Sequence, residues 1–416
     1  MENSSAAPAT RDTAAGAPSG AGHGELHAVV LATGPELYAA VADALTGDGP
    51  ALLPIDPALP EARRAALLDA LRPHAIRTAD GVRRLSGAAP VMKDTALVIA
   101  TSGSTGTPKG VELSRHALTA SARATLDRIS AAPGDRWLCC LPTSHIAGLQ
   151  VLTRSVVAGT EPVLHERFDP AAVTATGAAH VSMVPTQLRR LLDQGADPSV
   201  FATIVLGGAP ASPGLLEEAR AAGARVVTTY GMSETCGGCV YDGVPLDGVR
   251  VELRGLEPGA PVPADGVGRI VLGGPALFTG YRLDPDLTAA TRDADWFRTS
   301  DLGRFDGGRL RVLGRVDDVI NTGGEKVVAG EVARVLSGHP AVADVVVVGR
   351  EDREWGQRVT AVVVPCDPAA PPTLAGLRAH VRDRLPAAAA PRELDLVPEI
   401  PLLPSGKPDR TALIRG

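Results

Sequence analysis

Short apolar runs alternate along most of the chain with longer stretches that carry apolar residues at helical spacing. Apolar runs over Leu26–Ala32 and Ala96–Ala100 predict buried strands. Between them, Pro35–Leu45 and Glu61–Leu71 carry helical patterns, and the second has helix start signals at Pro60 and Glu61. Strands that alternate with helices in this way indicate an α/β fold with parallel strands.

The same alternation continues through the middle of the chain and then changes. Four further apolar runs predict strands at Arg136–Leu141, His180–Val184, Thr203–Leu206 and Arg225–Thr229. Ser114 is the predicted N-cap of a helix that follows the first glycine-rich segment. From Val249 to Leu313 short strands and Gly/Pro turns predominate, which predicts a β-rich subdomain.

The last part of the chain has its own pattern of elements. Glu331–Leu336 predicts a helix, Ala343–Val348 and Val359–Val364 predict strands, and Thr373 is the predicted cap of a second helix. We therefore predict a large N-terminal α/β domain over residues 25–314, with a β-rich subdomain, and a small α+β C-terminal domain over residues 319–416. Residues 1–24 are rich in Ala, Ser, Gly and Pro and are predicted to be a disordered tail.

Composition excludes several classes of protein. A net charge of −6 argues against a nucleic-acid binder, and an aromatic content of 3% argues against base-stacking surfaces. No apolar run reaches the ~20 residues of a membrane-spanning helix, and residues 1–24 lack a signal-peptide core. Five scattered cysteines fit a reducing cytoplasm. Cys236 and Cys239 have CxxC spacing, but no second pair completes a zinc site, so small residues in a tight loop are the favoured interpretation over metal or redox chemistry.

Three of the four lysines lie in glycine-containing motifs, at Lys109, Lys326 and Lys407. Apart from the four lysines, every Lys or Arg position is arginine, so these three positions indicate a need for a compact ammonium group. The alternative is that a coding bias toward arginine left a few lysines by chance.

The segment Thr101–Gly110 combines hydroxyls, glycines and a lysine, and it follows an apolar strand. Such a segment can direct backbone N–H groups and side-chain donors at phosphate oxygens. It is not a Walker A loop, because Pro108 precedes Lys109 and no Ser or Thr follows. We predict a strand–loop–helix phosphate site here, in preference to a flexible Ser/Gly linker.

Five motifs in order resemble the signatures of the adenylate-forming superfamily, which comprises acyl-CoA synthetases, peptide-synthetase adenylation domains and luciferases. The motifs are Thr101–Gly110, Tyr230–Thr235, Thr299–Gly303, Gly314–Asp318 and Pro404–Arg410. The resemblance covers roughly residues 26–413. The chain is short for this superfamily, so the resemblance implies that some elements before the phosphate loop are reduced or missing.

The resemblance implies a role for each matching residue. ATP and AMP would be bound by Thr101, Ser102, Gly103, Ser104, Thr105, Gly106, Thr107, Lys109, Gly207, Gly208, Ala209, Tyr230, Gly231, Thr235, Asp301 and Arg315. Among these, Tyr230 would offer a flat face to the adenine and Asp301 would accept hydrogen bonds from the ribose hydroxyls. Glu234 would be a catalytic residue and the Mg²⁺ ligand.

The resemblance also implies two half-reactions. A substrate carboxylate attacks the α-phosphorus of MgATP to give an acyl-adenylate and pyrophosphate, and the thiol of coenzyme A then displaces AMP. Lys407 would be the catalytic lysine of the first step. A mobile C-terminal domain would then rotate about a hinge at residues 315–318, centred on Asp317. This rotation would bring Gly323, Gly324 and Lys326 to the pantetheine passage.

The acid is indicated by the segments His145–Arg154 and Tyr230–Gly243, which resemble the o-succinylbenzoate–CoA ligases of menaquinone biosynthesis in their compact form. His145 would close one wall of the acyl site as a catalytic residue, and Arg154 would hold the second carboxylate of an aromatic dicarboxylate substrate. Gly237 and Gly238 would leave space for the ring. For Arg154, an internal ion pair or a solvent-facing position is the alternative.

Other functions stay open from the sequence. A general aryl- or fatty-acyl-CoA ligase is the nearest alternative, although Arg154 would oppose an apolar tail. Transfer of the activated acid to a carrier protein is a third possible enzyme activity. A catalytically inactive nucleotide-binding regulator is the alternative from another class, and it predicts damage to Glu234, Asp301 or Lys407, all of which are present. Related enzymes are often homo-oligomers, and the sequence leaves the oligomeric state open.

Overall fold

The computed structural model describes residues 24–102, 108–257, 259–264, 266–402 and 408–415, except for the side chain of Ser102. The predicted tail therefore lies almost wholly outside the described residues, as do Gly103, Ser104, Thr105, Gly106, Thr107 and Lys407.

The helices of the described residues, α1 to α11 in chain order, are Pro35–Thr46, Glu61–Leu71, Arg115–Ile129, Ile146–Ala158, Pro170–Thr174, Pro185–Asp193, Pro213–Ala221, Pro285–Thr291, Ala329–Leu336, Leu374–Arg382 and Arg410–Arg415. None of them is long and apolar enough to cross a membrane. The predicted caps are confirmed: Ser114 accepts a hydrogen bond from the backbone N–H of Ala117, and Thr373 accepts one from that of Gly376.

The strands of the described residues, β1 to β24 in chain order, are Leu26–Val30, Ala51–Pro54, Ala75–Thr78, Gly81–Arg84, Thr95–Ser102, Pro108–Ser114, Trp137–Cys139, Val163–Leu164, His180–Met183, Thr203–Leu206, Val226–Met232, Gly237–Tyr241, Val244–Pro245, Arg250–Arg254, Gly268–Gly273, Gly280–Tyr281, Arg292–Asp293, Trp296–Asp306, Arg309–Arg315, Val319–Thr322, Glu325–Val328, Val342–Asp352, Gly356–Pro365 and Glu393–Leu396.

Two seven-stranded sheets form the N-terminal part. The first has the order β16-β6-β5-β2-β1-β3-β4, with β5, β2, β1 and β3 parallel. The second has the order β13-β12-β11-β10-β9-β7-β8, and its strands from β11 to β8 are parallel. Helices α1, α3 and α4 pack on one another between the two sheets, and their apolar side chains join both sheets in one core. The predicted α/β class is confirmed.

Two smaller sheets follow. Strands β14, β15, β17, β18 and β19 form an antiparallel sheet, as expected for the β-rich segment. Residues beyond 318 form a separate five-stranded sheet with its own apolar core. Helix α9 of this C-terminal part packs against β19, and Glu331 forms a 3.2 Å ion pair with Arg304. The C-terminal part therefore contacts the β-rich sheet directly.

The predicted strand–loop–helix arrangement of the phosphate segment is wrong. Pro108–Ser114 is a strand that pairs antiparallel with Thr95–Ser102, so the segment joins two strands of a hairpin. Helix α3 begins only at Arg115. The glycine and proline at the start of this strand favour a loop locally, but pairing with β5 stabilises the extended conformation.

A buried ion pair connects β6 to the segment of residues 71–95. Arg282 and Glu112 are fully buried and 3.0 Å apart. Arg282 also donates hydrogen bonds to four backbone carbonyls between residues 71 and 90, and Glu112 accepts from the backbone N–H of Met92 and the hydroxyl of Thr95. The pair therefore satisfies polar groups that the fold would otherwise bury without partners.

We expect Glu112→Gln to lower the free energy of unfolding by about 3–5 kcal/mol, because it leaves the buried guanidinium without its counterion. The matched control is Glu218→Gln, which removes one of the two acidic partners of Arg189, in an exposed 2.7 Å pair, and is expected to cost less than about 1 kcal/mol. Chemical denaturation of both variants measures the difference. Equal stability losses would contradict the structural importance of the buried pair.

Candidate active site

Part of the predicted nucleotide site lies at the carboxyl ends of the parallel strands of the second sheet. Gly207 directly follows β10, and its backbone N–H donates to the carbonyl of Met183 at the end of β9 (3.1 Å). Tyr230 lies near the end of the adjacent β11. Gly208 and Ala209 are exposed beyond Gly207. Ligands of open α/β sheets commonly bind at such an edge.

Tyr230 and Asp301 are joined although they lie in different sheets. The Tyr230 hydroxyl donates a 2.7 Å hydrogen bond to the Asp301 carboxylate. Burial is the main cause that raises the pKa of Tyr230 well above its usual value, and the adjacent carboxylate raises it further. The phenol therefore stays protonated and acts as a hydrogen-bond donor. Asp301 is paired in register with Arg315 on β19, so the structure brings three predicted nucleotide residues together.

Glu234 follows β11 in a short turn, which Thr235 closes by accepting from the backbone N–H of Met232 and donating to the carbonyl of Gly237. Tyr281 donates a 2.8 Å hydrogen bond to Glu234 Oε1. Burial is the main cause that raises the pKa of Tyr281, and the Glu234 carboxylate raises it further. The hydrogen bond from Tyr281 orients the Glu234 carboxylate, and Thr235 fixes the backbone of the turn that carries it. Tyr281 was not predicted as a site residue, because no local pattern links positions 47 residues apart.

The carboxylate oxygens of Glu234 are suitable ligands for Mg²⁺. Among the described residues no three His, Cys, Asp or Glu side chains come together as a metal cluster. Mg²⁺ is usually bound by one or two carboxylates together with substrate phosphates, so one oriented glutamate beside a phosphate segment is the expected set.

The ends of the phosphate hairpin are described, and its tip is not. Thr101 and Lys109 are paired in register across β5 and β6, and the Thr101 hydroxyl lies 3.5 Å from the carbonyl of Lys109. Both residues are partly buried. The predicted ligands Gly103, Ser104, Thr105, Gly106 and Thr107 lie outside the described residues.

Helix α4 carries the predicted acyl residues. His145 is its N-cap and is exposed, whereas Arg154, two and a half turns along, is 4% exposed. The helix is buried on nearly all sides over residues 148–155 because it packs between the two large sheets. Its axis therefore leads from the exposed edge at His145 to the buried interior at Arg154.

Arg154 is buried without an anionic partner in the described part of the chain. Its Nη1 donates to the Ser182 hydroxyl (3.1 Å), and its guanidinium lies 4.6 Å from the centre of the Trp137 ring. Its Nε has no hydrogen-bond acceptor among the described residues, and none of their carboxylates is close enough for an ion pair. Burial lowers the pKa of Arg154. Neither the internal ion pair nor the solvent-facing position is observed.

Gly237 brings β12 against this helix. Its φ of +96° belongs to the left-handed region that favours glycine, and a Cβ there would approach Cγ of Gln150 to 3.2 Å. Gln150 lies one helical turn before Arg154, so both side chains project from one face of α4. Gly238 lies beside Thr229 and Tyr241. Gln150 was not predicted, although a polar residue four positions before Arg154 on the same helix was a signal for it.

The predicted CoA residues lie in the C-terminal part. Gly323 and Gly324 form the exposed turn between β20 and β21, and Lys326 is exposed on β21. The backbone N–H of Gly323 donates to the carbonyl of Trp355 (2.9 Å), and a Cβ at Gly323 would collide with the Trp355 ring. Trp355 in turn stacks under Arg392 at 3.5 Å. The turn is thus held in place by a side chain that was not predicted.

The remaining candidates are Asp317, Lys407 and the cysteine pair. Asp317 is exposed, 3.6 Å from Arg315. Lys407 lies outside the described residues. Cys236 and Cys239 are both free and buried, and burial raises the pKa of Cys239 to about 12, so neither is an activated thiol.

Two family models match the chain. The model of AMP-binding enzymes matches residues 83–282, and the model of the AMP-binding enzyme C-terminal domain matches residues 331–407. The first match contains the acyl helix and Glu234, and the second ends at Lys407.

Named relatives agree with these models. A probable 2-succinylbenzoate–CoA ligase of Mycobacterium tuberculosis is 48% identical over 339 residues, which are 77% of this chain and 84% of the relative. The o-succinylbenzoate CoA synthetase of Bacillus subtilis, solved with its acyl-adenylate intermediate, is 30% identical with a TM-score of 0.80, covering 94% of this chain and 88% of that one. The same synthetase solved with ATP and magnesium has a TM-score of 0.78 at 28% identity, covering 94% and 90%.

Proposed function

The chain belongs to the AMP-binding enzyme family, and we propose that it is the ATP-dependent ligase that joins o-succinylbenzoate to coenzyme A in menaquinone biosynthesis. The acid first becomes an acyl-adenylate and then a CoA thioester. The similarity to 2-succinylbenzoate–CoA ligases supports this substrate. The free cysteines fit action in a reducing cytoplasm.

The observation that carries the substrate assignment is the buried guanidinium of Arg154. A buried charge is costly without a partner, and the described residues supply only a hydroxyl and an aromatic face. A second carboxylate on the substrate would supply the missing anion and two acceptors for the planar guanidinium. An aromatic dicarboxylate fits this site better than a fatty acid, whose apolar tail would leave the charge unpaired.

In the first half-reaction the protein mainly positions two anions. Asp301 accepts hydrogen bonds from the ribose, Tyr230 packs on the adenine, and Lys109 with the phosphate segment binds the phosphates. Mg²⁺ neutralises phosphate charge, and Glu234, held by Tyr281, is the residue that would bind it. The activated carboxylate of the succinyl arm then lies at the His145 end of α4, and the ring carboxylate lies at Arg154.

In the second half-reaction the C-terminal domain presents its Gly323–Lys326 turn to coenzyme A. Rotation about Asp317 would exchange Lys407 for this turn, and Trp355 keeps the turn in one conformation. Closure in each state keeps water from hydrolysing the adenylate.

The two-step chemistry is tested by omitting coenzyme A. With ATP, Mg²⁺ and o-succinylbenzoate, the enzyme should release pyrophosphate and retain an adenylate of the matching mass; adding coenzyme A should yield the thioester and AMP. Reactions without the acid are the control. Release of ADP and phosphate in place of AMP and pyrophosphate would contradict the proposed function.

A further inference from the structure

Gln150 is a buried amide without hydrogen-bond partners. The residue is 1% exposed, and neither Nε2 nor Oε1 has a partner among the residues that the structure describes. Buried polar groups are almost always hydrogen-bonded, because leaving one without a partner is unfavourable. An amide with two unpaired atoms is therefore an exception that needs a ligand or a function to explain it.

The position of Gln150 links it to the acyl site. It lies on α4 between the exposed His145 end and the buried Arg154, one turn from Arg154. Its stem faces Gly237, where the absence of a side chain leaves the amide room. The neighbouring Arg154 Nε is also unpaired among the described atoms. Three polar atoms without partners among the described residues thus lie on one face of α4.

We propose that the Gln150 amide hydrogen-bonds the ketone oxygen of the bound acid and makes the enzyme select a keto-dicarboxylate over the same diacid without the ketone. This inference rests on the proposed function. A primary amide can donate to a ketone through Nε2. Its Oε1 can then accept from a water that enters with the substrate.

The order of polar groups in the substrate matches the order of residues on the helix. If the ring carboxylate meets Arg154 and the arm carboxylate lies near His145, the group between them is the ketone. Helical side chains lean toward the N-terminus, so Gln150 reaches from its own turn toward the middle of this path. An apolar residue at position 150 would fill the same space with no preference for the ketone.

The test compares two acids and two enzymes. The acids are o-succinylbenzoate and 2-(3-carboxypropyl)benzoate, which has a methylene in place of the ketone. For the unaltered enzyme we expect kcat/KM to favour the ketone about 10- to 100-fold, since the amide stays unpaired with the methylene acid. Gln150→Leu should lose about 10- to 100-fold with the ketone acid and less than about 3-fold with the methylene acid.

The matched control is Thr153→Val on the same helix. Thr153 is equally buried, but its hydroxyl already donates to the carbonyl of Leu149 (3.0 Å), so the ratio between the two acids should not change. Equal losses of Gln150→Leu with both acids would mean that Gln150 acts by packing, and would overturn the inference.

Thermal unfolding gives a readout that is independent of turnover. Because Gln150→Leu removes two unpaired buried polar atoms, the ligand-free variant should unfold at the same or a higher temperature. Its stabilisation by o-succinylbenzoate with ATP should be smaller than that of the unaltered enzyme. A clear loss of ligand-free stability would show a structural role and overturn the inference.

Failure of the proposed function has a different signature. If the unaltered enzyme uses neither diacid but adenylates a monoacid, both the proposed function and the role of Gln150 are wrong. If it prefers o-succinylbenzoate over monoacids while Gln150→Leu treats the two diacids as the unaltered enzyme does, only the role of Gln150 is wrong.

Discussion

Replacing Arg154 by methionine is expected to lower kcat/KM for o-succinylbenzoate by about 30- to 1,000-fold. The change keeps an apolar stem over Trp137 but removes the buried cation, so the ring carboxylate loses its charge-assisted hydrogen bonds in a desolvated site. Steady-state AMP release measures the effect. The methionine variant should remain as stable as the parent, because it replaces a buried unpaired charge with an apolar group.

A matched monoacid separates this role from a general defect. 4-Oxo-4-phenylbutyrate has the arm and the ketone but no ring carboxylate. Because the guanidinium has no carboxylate to bind in this acid, Arg154→Met should change its kcat/KM by less than about 3-fold. A uniform fall with both acids would mean that Arg154 supports the helix or the sheet and does not bind the substrate.

The second large effect is expected at Lys407. Lys407→Ala should slow pyrophosphate release by about 10²–10³-fold, because a positioned charge at the developing carboxylate–phosphate bond is lost. Formation of the thioester from supplied adenylate should change little, since the C-terminal domain would have turned this lysine away. Rapid-quench measurement of each half-reaction separates the two steps.

Lys326 is the matched control for that experiment. It is exposed on the turn proposed to reach coenzyme A, so Lys326→Ala should slow thioester formation and leave pyrophosphate release nearly unchanged. Equal losses in both half-reactions for Lys407→Ala would contradict the exchange of the two lysines.

Local patterns predicted most of the fold. Strand Thr203–Leu206 and helix Glu61–Leu71 have the predicted bounds, because a short apolar run, and a stretch that starts after a proline and carries leucines at helical spacing, are recognisable without their neighbours. Strand Pro108–Ser114 could not be recognised this way. Its proline and glycine favour a turn, and only its pairing with β5, at the other side of the phosphate segment, makes it a strand.

The residues of the candidate site also divide into those that local motifs predict and those that only tertiary packing reveals. Tyr230, Glu234 and Asp301 stand in motifs that a single sequence reveals, whereas their partners come from elsewhere in the fold. Tyr281, on β16, contacts Glu234 in the turn after β11, and the Trp355 ring, between β22 and β23, contacts Gly323 in the turn between β20 and β21. These contacts depend on tertiary packing, so neither the hydrophobic periodicity of the sequence nor the spacing of its motifs predicts them.

The proposed acyl site on α4 shows what the burial of side chains adds to the prediction from sequence. Arg154 could be singled out as a charge in an apolar stretch, but an internal ion pair could be set aside only when its surroundings were known. The unpaired atoms of Gln150 became visible in the same way. In both cases an unmet hydrogen-bonding need in the described structure indicates the chemistry of the substrate.

The most direct test of the central claim is the acid preference of the unaltered enzyme. With ATP, Mg²⁺ and coenzyme A, kcat/KM should be compared for o-succinylbenzoate, 4-oxo-4-phenylbutyrate, benzoate and a medium-chain fatty acid, following AMP release and thioester mass. Pairing of Arg154 with a ring carboxylate predicts that o-succinylbenzoate is preferred over each monoacid by about 30-fold or more. Equal or better use of a monoacid or fatty acid would contradict it.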